Sequence, residues 1–214
     1  MIRLRLSRLR HNEDGSIPIE AVFGYLILTV WVFLAFQFYD AFRTKGEVAR
    51  ASYDVADILS RERSAIGPAY IAGMKKVFDF ASRSSFDGQT SLRVTLITCG
   101  AKNNTNVCDG VDKFVGVDES YSPDGLTPQT KKSLKTQADR IPILGAGDTA
   151  VIVETIYRYR PPFNLSNLVL LLPGSGGTQS TFNVGMEQSA DGIPIGNFIV
   201  TRRRGTAITW DDAS

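Results

Sequence analysis

One long apolar stretch, residues 17–39, most constrains what this chain of 214 residues can fold into. Residues 21–39 carry no formal charge. A helix of about 20 residues, rising about 1.5 Å per residue, crosses the roughly 30 Å hydrocarbon layer of a bilayer. Backbone polar groups in lipid must be bonded within their own segment, so a helix is expected despite the β-branched and aromatic side chains. The stretch therefore predicts a transmembrane helix over residues 16–39.

The net charge of +2 comes from the residues before this stretch, because the rest of the chain is balanced. Basic residues outnumber acidic ones there: Arg3, Arg5, Arg8 and Arg10 against Glu13 and Asp14. A balanced remainder gives no electrostatic footprint for nucleic acid. Since Lys and Arg beside a spanning helix stay in the cytoplasm, residues 1–15 are predicted to be a basic cytoplasmic leader, with the C-terminal domain outside. A signal peptide fits less well, because the apolar run is too long and no Ala-x-Ala site follows it.

The two cysteines, Cys99 and Cys108, predict a disulfide and an oxidising compartment. Paired, they close a ring of about ten residues and stabilise the fold by roughly 2 to 3 kcal/mol in the loop-entropy account. The alternative is two free, buried thiols. With no histidine near them and no further cysteine, no zinc site is predicted.

Glu20 is a lone carboxylate near the cytoplasmic edge of the apolar run. A charge inside a membrane costs free energy, although less near an interface. Either the side chain reaches the headgroups or is protonated, or it pairs with a cation within the membrane. The chain offers no cation between Ala21 and Arg43, so the partner has to come from elsewhere. An α-amino group created by cleavage after Gly15 would lie at the correct depth.

Gly15 itself suits cleavage at a membrane surface, because a residue without Cβ fits a sharp bend and a close approach. The alternative is an ordinary loop glycine before a helix, with Ser16 as its N-cap and Pro18 in its first turn. Taken together, Gly15 and Glu20 favour the cleavage interpretation.

This arrangement of Gly15, four residues, Glu20 and a long apolar helix behind a basic leader resembles the processing site of type IV prepilins. Over residues 13–60 the chain is most similar to the pilin-like TadE, TadF and TadG proteins of tight-adherence (Tad, Flp) type IVb pilus systems. Ala21 stands where that family usually has Phe or Tyr. The resemblance implies cleavage between Gly15 and Ser16 by a prepilin peptidase, and an assembly role for Glu20 as the fifth residue of the mature chain. It also implies a bacterial inner-membrane protein with a periplasmic domain, whose partners are lipid, other pilin-like subunits and pilus assembly proteins.

Beyond the apolar run the patterns predict an α+β fold with a pilin-like arrangement. Residues 40–63 lack proline and repeat apolar side chains at helical spacing, so the helix is expected to continue as a stalk until Gly67-Pro68 breaks it. A second helix is predicted over residues 69–84. Its inward side chains are expected to be Ile71, Met74, Val77, Phe78 and Ala81. Residues 40–85 thus form the predicted helical stalk and second helix.

Residues 86–214 are predicted to form a periplasmic domain with an antiparallel or mixed sheet. Alternating side chains predict strands at residues 92–98 and 148–159, and the second is expected to be central because both of its faces are largely apolar. A short polar helix is expected within residues 127–141. Weaker patterns predict strands at residues 179–187, 196–202 and 206–210.

Several other features favour structural roles over chemistry. Acidic residues at 109, 112, 118, 119 and 124 raise calcium as an alternative, but their spacing matches no EF-hand loop, so no metal site is predicted. Residues 168–172 and the triplet Arg202-Arg203-Arg204 could touch partners, although a core segment and a solvated sheet edge are the favoured interpretations.

An enzyme is not predicted, because the only histidine, His11, lies in the leader and the domain cannot use a Ser-His or Cys-His mechanism. No cofactor and no small-molecule substrate are expected. The remaining alternative is an uncleaved single-pass scaffold of a secretion or adhesion complex. It explains every feature except the conjunction of Gly15 with Glu20.

Overall fold

The computed structural model describes residues 16–100, 107–108, 115–162, 169–171, 181–183, 192–203 and 210–211. The chain divides into two units, Met1–Phe42 and Arg43–Ser214. Helix α1 (Ser16–Arg61) contributes to both. Every described residue of the first unit belongs to this helix.

The second unit has an α+β fold built on an antiparallel sheet, as predicted. Its described strands are β1 (Thr90–Cys99), β2 (Val107–Cys108), β3 (Val115–Tyr121), β4 (Leu144–Gly145), β5 (Thr149–Tyr159), β6 (Val169–Leu171), β7 (Thr181–Asn183) and β8 (Ile193–Arg202). Four of them form the main sheet in the order β3-β1-β5-β8, with antiparallel pairing throughout. The predicted central strand, β5, lies between β1 and β8, which agrees with its apolar residues on both faces.

The two shorter helices begin where the sequence supplies the expected signals. Helix α2 (Pro68–Ala81) begins at a proline, whose missing N–H costs little in a first turn. Helix α3 (Lys131–Lys135) is capped by the Thr130 side chain, which accepts a hydrogen bond from the Ser133 amide. A 3-10 turn follows at Ala138–Arg140. The predicted polar helix within residues 127–141 is therefore two short helical pieces.

The C-terminal part of α1 packs on the sheet through a buried face. Its apolar residues at helical spacing, Val48, Val55 and Leu59, are fully buried. Ser52, on the same face, shares a hydrogen bond of 2.7 Å with the Thr155 hydroxyl of β5. The periodicity that predicted a continuing helix therefore also marks the face that meets the sheet.

The predicted inward face of α2 is only partly correct. Ile71 and Phe78 are buried, but Val77 is 37% exposed, and the neighbouring Phe80 is 88% exposed. The helical period places residues on faces, whereas the tertiary partner decides how wide the buried face is. Here that face is narrow.

The predicted disulfide between Cys99 and Cys108 is present, so the alternative of two free thiols is wrong. Cys99 ends β1 and Cys108 ends β2, and both are almost completely buried. They belong to an apolar cluster that also contains Leu134, Ile141 and Leu144. The disulfide therefore links the segment between Cys99 and Cys108 to the buried core.

The weaker strand predictions have mixed outcomes. The strand expected at residues 196–202 already begins at Ile193, and within residues 179–187 the structure describes β7. Of residues 206–210, only Trp210 lies among the described residues, where it forms an isolated parallel bridge with Ile66. The Asp211 amide adds a hydrogen bond of 3.1 Å to the Ile66 carbonyl, which ties this segment to the turn after α1.

Glu62 organises the turn between α1 and α2. One of its carboxylate oxygens accepts hydrogen bonds from the amides of Ser64 at 2.9 Å and Arg63 at 2.8 Å. The Ser64 amide, the Tyr70 hydroxyl and the Arg63 amide lower the pKa of Glu62 to about 2. Burial, followed by the hydrogen bond to Glu62, raises the pKa of Tyr70 to about 12. The ionised carboxylate thus stabilises the folded turn.

Glu62→Gln is therefore expected to lower the thermal midpoint at neutral pH and to have progressively less effect in acid. A depressed folded-state pKa contributes stability above the unfolded pKa, near 4.5, and this contribution is lost as the pH falls towards 2. Thermal unfolding of both proteins between pH 7 and pH 2.5 checks this, with Glu119→Gln on an exposed strand position as the control. A difference between the midpoints that stays constant over this range would contradict the assignment.

Candidate functional site: the exposed apolar helix

The first unit presents an apolar surface that nothing in the structure covers. Its large hydrophobic side chains are between 47% and 73% exposed: Val22, Phe23, Tyr25, Leu26, Ile27, Leu28, Trp31, Val32, Phe33, Phe36, Phe38, Tyr39 and Phe42. Contiguous apolar patches beyond a few hundred Å² are rare on soluble monomers and mark contacts with protein or membrane. This part of α1 therefore needs lipid or other helices around it.

The length and composition of α1 meet the requirement for a membrane span. Its most apolar 18-residue window has a mean hydropathy of 2.0, and none of that window is buried. Among the described residues this is the one helix that meets the requirement. The core helix of a soluble domain would be largely buried, so the exposure argues against that alternative.

Polar side chains within the apolar segment are satisfied locally where the structure describes their bonds. The Thr29 hydroxyl donates to the Tyr25 carbonyl at 2.8 Å, one turn earlier in the same helix. Beyond the apolar segment, Arg43 forms an ion pair in which its Nε lies 3.1 Å from a Glu47 carboxylate oxygen. The uncharged segment can thus meet lipid without leaving a threonine hydroxyl unbonded.

Glu20 lies on an exposed part of α1, just before the apolar segment. Within the described part of the chain, no ion pair involves its carboxylate. Ser16 is the first residue of α1, and Gly15 lies outside the described residues. Residues four apart occupy the same face of a helix, so Ser16 and Glu20 lie about 6 Å apart along its axis.

Two of the acidic residues considered for calcium, Asp118 and Asp124, make protein contacts. Asp118 accepts a hydrogen bond from the Thr98 hydroxyl. Asp124 accepts one from the Leu92 amide at 2.9 Å, and its other oxygen lies 3.6 Å from the Lys75 ammonium. Asp109 and Asp112 lie outside the described residues. Among the described residues, no group of three metal-ligating side chains comes together.

Two residues of the arginine triplet make hydrogen bonds to backbone carbonyls, so they are not simply a solvated sheet edge. Arg202 donates to the Ile143 carbonyl, and Arg203 donates to the Glu62 carbonyl at 2.6 Å. Burial lowers the pKa of Arg203 from its ordinary value. Arg204 lies outside the described residues, as do residues 168 and 172 of the apolar segment. The described part of that segment, β6, pairs with β7.

A polar group that sequence analysis did not identify joins β1 to β5. Arg93 contacts both carboxylate oxygens of Glu154, at 2.6 and 2.7 Å, and the Gln129 amide donates to the same two oxygens. The Arg93 and Glu154 side chains are only 18% and 13% exposed. Opposite charges on two predicted strands were a usable signal, but only the register shows that these residues face each other. The group satisfies its own charges and therefore has a structural role.

Comparison with protein-family models, with curated proteins and with solved structures returned no match. The structure therefore defines only a broad class of protein. It is an α+β protein with one N-terminal helix long and apolar enough to span a membrane, an antiparallel sheet domain and one buried disulfide.

Proposed function

We propose that this chain is a pilin-like (pseudopilin) subunit or assembly factor of a Tad (Flp) type IVb pilus. It is made in the bacterial inner membrane with residues 1–15 in the cytoplasm and its sheet domain in the periplasm. A prepilin peptidase cleaves it between Gly15 and Ser16, and the mature helix packs against other pilin-like helices. The observation that carries this proposal is the apolar 18-residue window of α1, none of which is buried, together with one exposed carboxylate, Glu20, near the start of that helix.

The position of Glu20 relative to Ser16 supports the proposed maturation. Ser16 lies in α1, so cleavage after Gly15 would place the new α-amino group on this helix, one turn before Glu20. An ammonium at the first residue and a carboxylate four residues later lie on one face, so either can meet the complementary charge of a neighbouring helix. Such a pair offsets part of the cost of taking each charge away from water, and it costs much less than either charge left unpaired.

The composition of the apolar segment supports helix packing beyond simple anchoring. An anchor requires only apolar length, and a carboxylate at its start weakens insertion. A helix that assembles with others benefits from one polar contact, because lipid provides no competing partner for it. Glu20 is therefore better explained by assembly than by anchoring.

The fold of the second unit agrees with this class of protein. The C-terminal part of α1 lies on an antiparallel sheet through Val48, Ser52, Val55 and Leu59, which is the arrangement expected of a pilin-like domain. Fold alone does not establish a function. The fold of the second unit therefore only supplements the evidence from the exposed apolar segment of α1 and Glu20. A buried disulfide is also suited to an oxidising periplasm.

Mass spectrometry of the N-terminus from native membranes tests the proposal most directly. We expect a mature chain that starts at Ser16, without the four arginines of the leader. An intact Met1 start would leave the uncleaved single-pass scaffold as the function to pursue.

A pair of glycine substitutions makes this test specific. Gly15→Leu is expected to retain the leader, because a bulky side chain blocks the close approach that cleavage requires. Gly24→Leu is the matched control, since a Cβ at Gly24 meets no atom within 4 Å. The control variant should be processed normally. Equal processing of both variants would count against cleavage at Gly15.

A further inference from the structure

The main sheet has two edges that no described strand covers, and these edges carry opposite charges. The strand order leaves β3 at one side of the sheet and β8 at the other. Asp118 and Glu119 are exposed on β3, and no ion pair among the described residues involves either carboxylate. At the end of β8, Arg202 and Arg203 donate hydrogen bonds only to neutral backbone carbonyls in the described part of the chain. An uncovered edge is a template for pairing with another chain, so these charges bear on which chain it accepts.

The strand register places the acidic and basic residues at the same height on the sheet. Glu119 of β3 lies opposite Leu96 of β1. Leu96 lies opposite Val151 of β5, which in turn lies opposite Thr201 of β8. Directly opposite residues share a face of a sheet, so these four form one row on one face. Glu119 and Thr201 are the two ends of that row, and Arg202 follows Thr201.

The backbone of β8 offers hydrogen-bonding groups at its outer side. The Arg203 amide donates to the Thr149 carbonyl of β5 at 3.3 Å. Because alternate residues of a strand direct their backbone groups to opposite sides, Thr201 also bonds to β5, whereas Arg202 and Val200 direct their groups away from the sheet.

The outer side of β3 is compatible with this pattern. The Cys99 amide donates to the Asp148 carbonyl of β5, so Leu96, three residues earlier on β1, directs its backbone groups to β3 and pairs there with Glu119. Neither Glu119 nor Thr201 therefore directs its backbone groups outward. An antiparallel ladder alternates hydrogen-bonded pairs with pairs that are not, and Glu119 beside Thr201 of another copy would be a pair of the second kind.

A cavity of about 500 Å³ lies beside Thr201 on the face of the sheet that carries α1. Its lining residues are Tyr53, Asp57 and Ser60 of α1 with Thr201, Arg202 and Arg203. Asp57 is paired with Arg61 at 3.0 Å. Nε and Nη1 of Arg203 are buried and have no hydrogen-bond acceptor among the described residues. Burial lowers the pKa of Arg203 more than the charge of Glu62 raises it. A carboxylate in this cavity could pair with the exposed Arg202 and, after a change of rotamer, with Arg203.

We propose that copies of this chain join side by side, with the β3 edge of one copy added to the β8 edge of the next. Glu119 of one copy then enters the cavity beside Thr201 of its neighbour and meets Arg202 and Arg203. Since β3 and β8 run in opposite directions within the sheet, the added pair is antiparallel like the others. The contact is head to tail, so each copy keeps one edge for a further neighbour.

Pairing between two β8 edges is the competing arrangement, and the direction of the chain argues against it. A two-fold antiparallel pair of β8 strands inverts one copy relative to the other, so the two chains would enter their second units, at Arg43, from opposite ends. Copies related by a sideways shift enter from the same end, as anchoring in one membrane requires. The inference therefore rests on the membrane location and helix assembly of the proposed function, and it names the surface through which the second units meet.

Cysteine cross-linking of the full, uncleaved chain in phosphatidylcholine vesicles tests the proposed row. Glu119→Cys and Thr201→Cys are made in separate chains. Cα atoms of an antiparallel pair without direct hydrogen bonds lie about 4.5 Å apart, which a disulfide can span. We expect oxidation to join the two variants when they are mixed and neither variant to join itself. Asp87→Cys, at an exposed position before β1, is the control and should not join Thr201→Cys.

Charge reversal tests whether the carboxylate and guanidinium groups meet. In the same vesicles, energy transfer between donor-labelled and acceptor-labelled copies measures association. Glu119→Arg and Arg202→Glu should each weaken it by about tenfold, and the chain with both substitutions should recover most of the loss. Asp87→Arg is the matched control and should leave association unchanged. High salt should weaken association of the unsubstituted chain, because exposed charges are screened.

Three outcomes would overturn the inference. The first is the absence of a mixed dimer, which means that another segment of the chain covers one edge. The second is dimers of Thr201→Cys alone that are as abundant as mixed ones, which means that the contact is not specific to the two edges. The third is a doubly reversed chain that associates no better than the single variants, which means that the charges only discourage edge pairing. An intact Met1 in cells would instead overturn maturation at Gly15, and a mixed dimer in the vesicles would still support the edge contact.

Discussion

Glu20→Ala is expected to leave the protein inserted in the membrane while abolishing its assembly with other pilin-like helices. Removing a carboxylate from the start of an apolar helix does not hinder insertion. Under the proposed maturation, it also leaves the α-amino group of Ser16, or that of a neighbouring subunit, without its partner. Breaking a charge pair held away from water costs about 3 to 5 kcal/mol, which weakens association by roughly a hundredfold or more. Carbonate extraction measures insertion, and recovery of sheared pili or cross-linked assemblies measures the loss.

Glu47→Ala is the matched control for Glu20→Ala, because it removes a glutamate from the same helix outside the apolar segment. Glu47 pairs with Arg43 at 3.1 Å, but the two side chains are 30% and 52% exposed. Surface pairs of this kind contribute about 0 to 1 kcal/mol, so assembly should be nearly unchanged. Normal piliation in Glu20→Ala cells would remove Glu20 from the assembly mechanism.

The features that were predictable from the sequence are those governed by local composition or short spacing. The uncharged run from residue 21 to 39 predicts a helix because a segment in lipid must bond its own backbone groups. The strand at β5 was readable because both of its faces are apolar, which a strand between two neighbours requires. Cys99 and Cys108 are close along the chain, so their pairing needed no knowledge of the fold.

The features that were not predictable depend on contacts between distant segments. Arg93 and Glu154 are 61 residues apart, and only the β1–β5 register brings them together. The exposure of Val77 and Phe80 depends on how α2 lies against its neighbours, which a helical period does not contain. The contact between Arg203 and the Glu62 carbonyl could be recognised only once the turn at Glu62 was known.

The length of β8 shows how a local rule can mislead at a sheet edge. Pro194 cannot donate a ladder hydrogen bond, and the strand was predicted to begin only at residue 196. In the structure β8 begins at Ile193, and Pro194 lies opposite Arg158 of β5. Within the described sheet β8 is an edge strand, where a proline is tolerated if its nitrogen faces away from the neighbour.

Glu154→Ala is expected to cause the largest loss of stability in the second unit, about 3 kcal/mol. The substitution leaves the Arg93 guanidinium, which is only 18% exposed, without the carboxylate that it contacts at 2.6 and 2.7 Å. It also leaves the Gln129 amide without its two acceptor oxygens. For a unit of this size the thermal midpoint should fall by about 6 to 12 °C. Near-ultraviolet circular dichroism during heating, in nanodiscs, measures this shift.

We expect this loss because Glu154→Ala leaves the Arg93 charge unpaired, and not because the Arg93–Glu154 attraction is itself strongly stabilising. A double variant distinguishes these two causes. Arg93→Met combined with Glu154→Met removes both charges and fills similar volume, so it should recover much of the stability lost in Glu154→Ala. Asp57→Ala breaks a pair with Arg61 whose side chains are 48% and 62% exposed, and it should cost less than about 1 kcal/mol. If Glu154→Ala were no more destabilising than Asp57→Ala, water would have to solvate Arg93 in the folded state. The β1–β5 contact would then be a surface pair, despite the low exposure of both side chains.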